Sequence, residues 1–449
     1  MNQGRPGDET RRFGRTASLL SGGVGVAGLL TYLFFSLASH NLDATAYGEI
    51  VVLWSATFVT ISIAHRPVEQ LLTRSIALRR ARGEEVGSAL RIGAAIQLGI
   101  ALLLAAVALA FRSQLQDSLL SGSETLYWIL VFSIVAFGMS FYTRGALAGS
   151  RRFTLLALLL VCESAARAAF ALAVALGISE GQSAIALGVA AAPMVSLVVG
   201  PLALLALRPG HGDERESPTP MSARAGGGFA GAVLVVMLGE QAFLNAGPLL
   251  VRAFDDAAAA GFIFNMLMVA RAPVLIFQGV ATSLLPHLTR MRVAGPSGED
   301  EFRHSVRLTL ITVAAFATLV TAIVVAIGPS LMHVAFGDRF SYDRLGLALV
   351  AVGMGFYLTA TTLSQATLAR GAASEAARCW AFSAAFFLAW CLLPLVADEP
   401  RRVEIGFMMA AGLLAASLTW VYRLAHGPGI DPDSAEEIEA RLAAADEVT

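Results

Sequence analysis

Runs of about twenty apolar residues recur along this 449-residue chain, and each is long enough to cross a lipid bilayer as a helix. Twelve can be read. The first six cover approximately 17–38, 48–65, 92–111, 126–143, 153–176 and 184–207. The second six cover approximately 228–251, 259–284, 308–327, 345–369, 381–396 and 403–422. Hydrocarbon offers the backbone no hydrogen-bond partners, so a run of this kind must satisfy its own amides as a helix. Composition agrees: 56% of the residues are hydrophobic and 14% charged, where a soluble domain carries about 25% charge. The chain is therefore expected to be an all-α polytopic membrane protein.

Arginine placement gives the orientation. All 32 basic residues are arginine. About 24 of them fall in the N-terminal segment, the even-numbered loops and the C-terminal segment, and about six in the opposite loops. This bias predicts that both termini lie in the cytoplasm, and it fits an even number of spans. The sequence Thr10-Arg11-Arg12-Phe13-Gly14-Arg15 resembles a twin-arginine signal. The run after it is long enough to span and lacks a small-residue cleavage site, so it reads as a basic flank of the first span. Cys162, Cys379 and Cys391 lie in or beside apolar runs without disulfide or metal spacing, and read as small buried residues.

The middle of the chain divides it. Residues 208–227 are polar and rich in Pro and Gly, as a linker between two six-helix halves would be. The expected layout is a basic flank at 1–16, halves at 17–207 and 228–424, the linker between them, and an acidic tail at 425–449. In that tail Asp433 and Ser434 suit the cap of a short helix. A faint repeat supports two halves. Gly48 opens a span that ends in Arg66-Pro67, with Leu72-Thr73-Arg74 beyond. Gly261 opens one with Arg271-Ala272-Pro273 inside it and Leu288-Thr289-Arg290 beyond. Six spans per half put the halves in one orientation, which is the parallel-repeat arrangement with a substrate site between them.

Ionisable groups within the spans mark candidate function, because each costs roughly 2.5–3.5 kcal/mol at the bilayer centre. Glu163 and Arg167 are one helical turn apart and can meet on one face. They read either as a structural ion pair or as a cavity-facing site. Glu240 lies in the seventh span with Gln241 and Asn245, the latter two on one face. Arg271 lies in the eighth, two residues before a helix-bending proline, with Gln278 seven residues on. Glu240 and Arg271 are candidates to pair across helices. Arg66 and Arg144 are expected at cytoplasmic span ends, where arginines commonly snorkel to headgroups but can also bind phosphate. The stretch Ser21 to Gly28 in the first span is rich in glycine, as close helix contact or a flexible gate would require. No nucleotide-binding loop, metal-ligand cluster or enzyme-sized soluble segment is legible. Hence no enzyme activity, cofactor, metal or nucleic-acid partner is expected.

This layout resembles the multidrug/oligosaccharidyl-lipid/polysaccharide exporter superfamily, and two stretches add to the resemblance. Ala46-Tyr47-Gly48-Glu49-Ile50 is similar to the start of the second span in polysaccharide-biosynthesis flippases. Residues 261–290, with Ala272-Pro273 in the middle and Leu285-Pro286-His287-Leu288-Thr289-Arg290 at the end, are similar to their eighth span. The resemblance implies two six-helix halves around a central cavity. It also implies a bacterial inner-membrane flippase moving a polyprenyl-pyrophosphate-linked oligosaccharide by alternating access, for cell-surface polysaccharide assembly. Arg167, Arg271, Arg66, Arg144, Gln241, Asn245 and Gln278 would hold the substrate, and Glu163 and Glu240 would couple an ion. Membrane lipid and a polysaccharide polymerase or glycosyltransferases would be partners. Drug-exporting relatives usually carry an acid in the first helix, and 17–38 has none. Lipid II flippases typically have fourteen spans. A cation-coupled multidrug antiporter, a lipid II flippase and a non-transporting scaffold of an assembly complex stand as alternatives.

Overall fold

The computed structural model describes residues 6–206, 223–254, 256–269, 271, 296–340 and 342–424. They are helical almost throughout. The helices are α1 (Pro6–Asn41), α2 (Ala44–Ala64), α3 (Arg66–Ala81), α4 (Gly87–Ala110), α5 (Glu124–Gly149), α6 (Phe153–Ala175) and α7 (Gly181–Ala206). They continue as α8 (Ala223–Phe254), α9 (Ala257–Val269), α10 (Pro296–Phe336), α11 (Arg344–Ala369), α12 (Ala373–Leu392) and α13 (Glu399–Leu424). A single π-helical turn, Gln114–Leu119, follows α4. Among the described residues, ten segments are both long and apolar enough to cross a membrane. They correspond to ten of the twelve runs read from the sequence.

The other two differ for visible reasons. The eighth run is helical from Ala257 to Val269, and most of the remainder lies outside the described residues. The eleventh is a 20-residue helix, Ala373–Leu392, eight residues earlier than the sequence suggested. Its first two turns hold Glu375 and Arg378, which pair with each other at 2.8 Å. These charges look like loop in a hydropathy reading. The far end stops short of Pro394, whose ring cannot continue a helix. The central linker lies mostly, and the acidic tail wholly, outside the described residues, while the N-terminal flank from Pro6 is already part of α1.

The helices pair in the same order twice. In the first half α1 packs on α6, α6 on α7, α7 on α5 and α5 on α4. In the second half α8 packs on α12, α12 on α13, α13 on α11 and α11 on α10. Each of these four contacts therefore has its counterpart six spans later, as the faint repeat implied. The outer helices α4 and α10 occupy matching positions and turn most of their apolar residues outward, as lipid-facing helices must.

The two halves meet along α2 and α8, and α9 lies against α2. Gly48 and Gly261, the paired landmarks of the repeat, come face to face there. A Cβ on Gly48 would overlap the Ala257 carbonyl, and one on Gly261 would lie 3.3 Å from the Gly48 Cα. Only glycine lets these backbones touch. Around this contact the Tyr47 hydroxyl donates to Asn265 Oδ1, and Asn265 Nδ2 donates to the Tyr342 hydroxyl at 2.9 Å. Arg252 donates to the Ser121 hydroxyl at 2.9 Å and to the Leu119 carbonyl at 3.3 Å. The Tyr32 hydroxyl donates to the Met268 carbonyl. The Tyr47 and Arg252 links join the halves toward the ends that carry the α1–α2 and α8–α9 loops, and the Tyr32 link joins them deeper in the membrane. In the glycine-rich part of α1, a Cβ on Gly23 would lie 2.7 Å from Ala157 Cβ. That residue therefore serves close packing of α1 on α6.

Candidate functional site

The charged groups gather where the halves approach each other, with a different pairing from the one the sequence suggested. Glu163 is buried in α6, but its oxygens are taken by α5: Arg144 donates to Oε2 and Ser140 to Oε1. The expected Glu163–Arg167 pair does not form. Both donors lie on one face of α5, four residues apart, and that face is turned toward α6. Arg144 also stands apart from the expected snorkelling. It is five residues from the end of α5, and it reaches toward the membrane interior, with its guanidinium 4.9 Å from the Phe141 ring centre.

Arg167 is left without an ion-pair partner among the described residues. Its guanidinium lies 4.4 Å from the Trp54 ring centre and 5.7 Å from that of Phe58, both on α2. Its Nε is buried and unbonded. Glu163 still acts on it electrostatically, and Arg144 opposes that. Arg271 is in a similar state in the other half. Its Nε and one terminal nitrogen are buried without partners, and Phe264 lies under it at 6.0 Å. Tyr32 and Tyr357 are the groups near enough to influence its charge.

Between the two arginines runs a strip of rings. Trp54 contacts Phe35 at 5.0 Å between centroids, and Phe35 contacts Phe264 at 4.5 Å across the boundary between the halves. All three rings are buried. The strip is apolar, and each end carries a cation lying on a ring face, where the ring quadrupole attracts it.

The expected Glu240–Arg271 pair is absent as well. The cation that acts on Glu240 is Arg66, which belongs to the other half. Arg66 is not at a span end. α2 runs into α3, so the helical segment continues from Ala44 to Arg80. The adjacent His65 bonds to Gln97 and to the Ile134 carbonyl. Gln97 is ten residues from the start of α4, about 15 Å along it, and Ile134 is ten residues into α5. Arg66 therefore sits at mid-depth, at the joint where α2 gives way to α3 with Pro67 in its first turn. Gln241 and Asn245 share a face as expected, and Asn245 Nδ2 donates to Gln241 Oε1 at 2.8 Å. Gln278 and Pro273 lie outside the described residues.

Sequence reading missed several members of this group. Glu69 interacts with Arg66, Arg144 and Glu163, and its spacing of three from Arg66 was the available signal. Ser140, four residues before Arg144, was another. Trp54, Phe35 and Tyr32 carried none, since aromatic residues in an apolar run look alike until the fold is known. Among the described residues, four arginines and three carboxylates are brought together, with cations in excess when all are ionised. Cys379 and Cys391 are buried as expected, and Cys162 is half-buried.

No protein-family model matches the chain, and neither does any curated protein sequence. Solved structures do match. A multidrug and toxic compound extrusion (MATE) protein in a bent conformation aligns with a TM-score of 0.62 at 13% identity, covering 95% of this chain and 96% of that one. An inward-facing multidrug resistance MATE transporter of the MOP superfamily aligns at 0.63 and 15% identity, covering 88% and 94%. A MOP superfamily transporter from Pyrococcus furiosus, described as having a binding pocket of reverse polarity, aligns at 0.61 and 13%, covering 91% and 95%. The chain thus has the fold of these transporters over nearly its whole length.

Proposed function

We propose that this protein is an alternating-access membrane transporter that holds the polar head of an amphiphilic substrate between its two halves. The observation that carries this reading is the state of Arg167 and Arg271. One comes from each half, and both are desolvated without an ion-pair partner among the described residues. Burying a cation is costly unless something balances it. A site that keeps two such cations on either side of a half-to-half boundary is suited to an anion that binds both. A polyprenyl-pyrophosphate-linked oligosaccharide has that chemistry, with two phosphates to meet guanidinium donors and a tail that stays in lipid. In this reading the protein works in a bacterial inner membrane with both termini inside, as the arginine bias supports, next to the enzymes that build and polymerise the glycan.

A cation-coupled multidrug antiporter is the second reading, and the fold comparisons favour it over the flippase. Solved structures sharing this fold include multidrug resistance transporters. Glu240 supplies a carboxylate on which Arg66 acts from across the boundary between the halves. The experiment that separates the two replaces the arginines. In cells that depend on this protein, Arg167→Ala and Arg271→Ala should abolish surface polysaccharide while the protein remains inserted. Normal polysaccharide with both arginines removed would end the flippase reading. New sensitivity to cationic dyes in a deletion strain with intact polysaccharide would establish the antiporter in its place.

A further inference from the structure

His65 stands outside the ion pairs described above, and its surroundings are unusual for a structural histidine. It is fully buried at the joint between α2 and α3. Its Nε2 lies 2.9 Å from the Ile134 carbonyl, and its Nδ1 lies 2.6 Å from Gln97 Nε2. A carbonyl can only accept, so the Nε2 of His65 carries a hydrogen in every protonation state. Nδ1 is then the one variable atom. In the neutral ring its lone pair accepts from Gln97, and in the imidazolium it must donate.

Gln97 can answer both states. Its Oε1 is buried and has no partner, so His65 alone orients the amide. A half-turn about the last side-chain torsion would present Oε1 to an Nδ1–H without breaking another hydrogen bond. A fixed donor at this place would hold the ring neutral, whereas an amide can reverse. We propose that His65, with Gln97 as its reversible partner, is a proton-binding site inside the first half. The proton adds to the Nδ1 lone pair, and the hydrogen bond to Gln97 changes direction.

The charges around the site are mixed. Its own helical segment supplies Arg66 and Glu69, α5 supplies Arg144, α6 supplies Glu163 and Arg167, and α8 supplies Glu240. The α7 sequence has no titratable residue, and α4 has only Arg91 near its start. A nearby arginine opposes a proton on an imidazole, and a nearby carboxylate favours one. An occupied site would place a positive charge one residue from Arg66. The proposal stands whichever substrate the transporter carries.

Nuclear magnetic resonance of the full-length protein, labelled with ¹⁵N-histidine in lipid nanodiscs, tests it. The chain has seven histidines, and the His65 signals are those missing from His65→Gln. As pH falls, they should pass from the Nε2–H tautomer to the imidazolium. Gln97→Met, which cannot accept, should lower the midpoint by about one pH unit, a tenfold weaker hold on the proton. Gln97→Glu, nearly the same shape, should raise it and carries the test if the methionine variant does not fold. A ring that stays neutral to the lowest pH at which the protein is folded would overturn the proposal. A midpoint unmoved by either substitution would do the same.

Discussion

Glu163 accepts from Arg144 and Ser140 within one half of the molecule, whereas Arg167 and Arg271 rest on aromatic rings with nitrogens unbonded. The two kinds of buried charge should respond oppositely to removal. Arg144→Leu leaves a carboxylate buried without its cation and should cost about 3–5 kcal/mol. Arg144→Leu with Glu163→Leu removes the pair together and should recover most of that loss. Thermal unfolding of the purified protein would measure both, and a double variant as unstable as the single one would show that the pair is not the cause. Arg271→Gln breaks no ion pair among the described residues. It should leave the unfolding temperature unchanged or raised while transport is lost. A large fall in stability would instead assign Arg271 to the scaffold. The sequence placed Glu163, Arg167 and Arg271 within the membrane but put Arg144 at a span end, and it offered Arg167 in place of Arg144 as the partner of Glu163. One-turn spacing on a helix shows that two groups can meet, but it is silent on a third group from a neighbouring helix. Arg144 comes from α5 with a serine beside it, and it reaches the carboxylate of Glu163 in place of Arg167.

At the scale of elements, the contact of α2 with α9 depends on Gly48. A methyl group there would overlap the Ala257 carbonyl, so Gly48→Ala must force the two helices apart. Gly261→Ala would meet the Tyr47 ring at 3.0 Å and requires a smaller shift. Both variants should insert normally and shift the protein toward the state in which this end is open, Gly48→Ala the more strongly. Labelling of a cysteine at Tyr47 with a membrane-impermeant thiol reagent would record the shift. Equal labelling in wild type and Gly48→Ala would refute it. The start of α11 gives a pH prediction. Asp343 accepts from the Gly346 amide at 3.2 Å and pairs with Arg401 on α13 at 2.8 Å. Burial pushes this carboxyl up, but the Arg401 hydrogen bond and charge and the backbone amides outweigh it and hold it below its ordinary value of 3.8. A carboxyl lowered by folding stabilises the fold above its ordinary value, and that contribution is lost as pH falls through the lowered one. Wild type should therefore lose stability relative to Asp343→Asn below about pH 4. Above that pH the wild type should be the more stable, and parallel pH profiles of the two proteins would contradict the assignment.

For the whole molecule, two parallel six-helix halves were legible in the apolar runs, the arginine bias and the Gly48–Gly261 echo. Those features depend on length, charge and local spacing. The parts that were not legible depend on contacts between distant segments. Arg66 looked terminal because the hydrophobic run stops there, yet α3 carries the helix onward and holds Arg66 at mid-depth. The eleventh span was displaced because a pair of charges in its first two turns satisfy each other. The repeated packing order also bears on mechanism. Hydrogen bonds that join the halves toward one end run through Tyr47 and Asn265 and through Arg252 and Ser121, and Tyr32 and Met268 add one deeper in the membrane. If the halves rock to carry substrate, these links must break in every cycle, and a covalent bond at the same place must stop transport. In a background of Cys162→Ala, Cys379→Ala and Cys391→Ala, cysteines at Tyr47 and Asn265 can be bridged with a short cleavable thiol cross-linker. Transport should fall in proportion to the bridged fraction and return on cleavage. A scaffold that never rocks would lose nothing, so full activity in a nearly completely bridged sample would rule out alternating access. Partial loss that cleavage does not restore would point to damage at Tyr47 or Asn265 themselves, which the unbridged double variant measures directly.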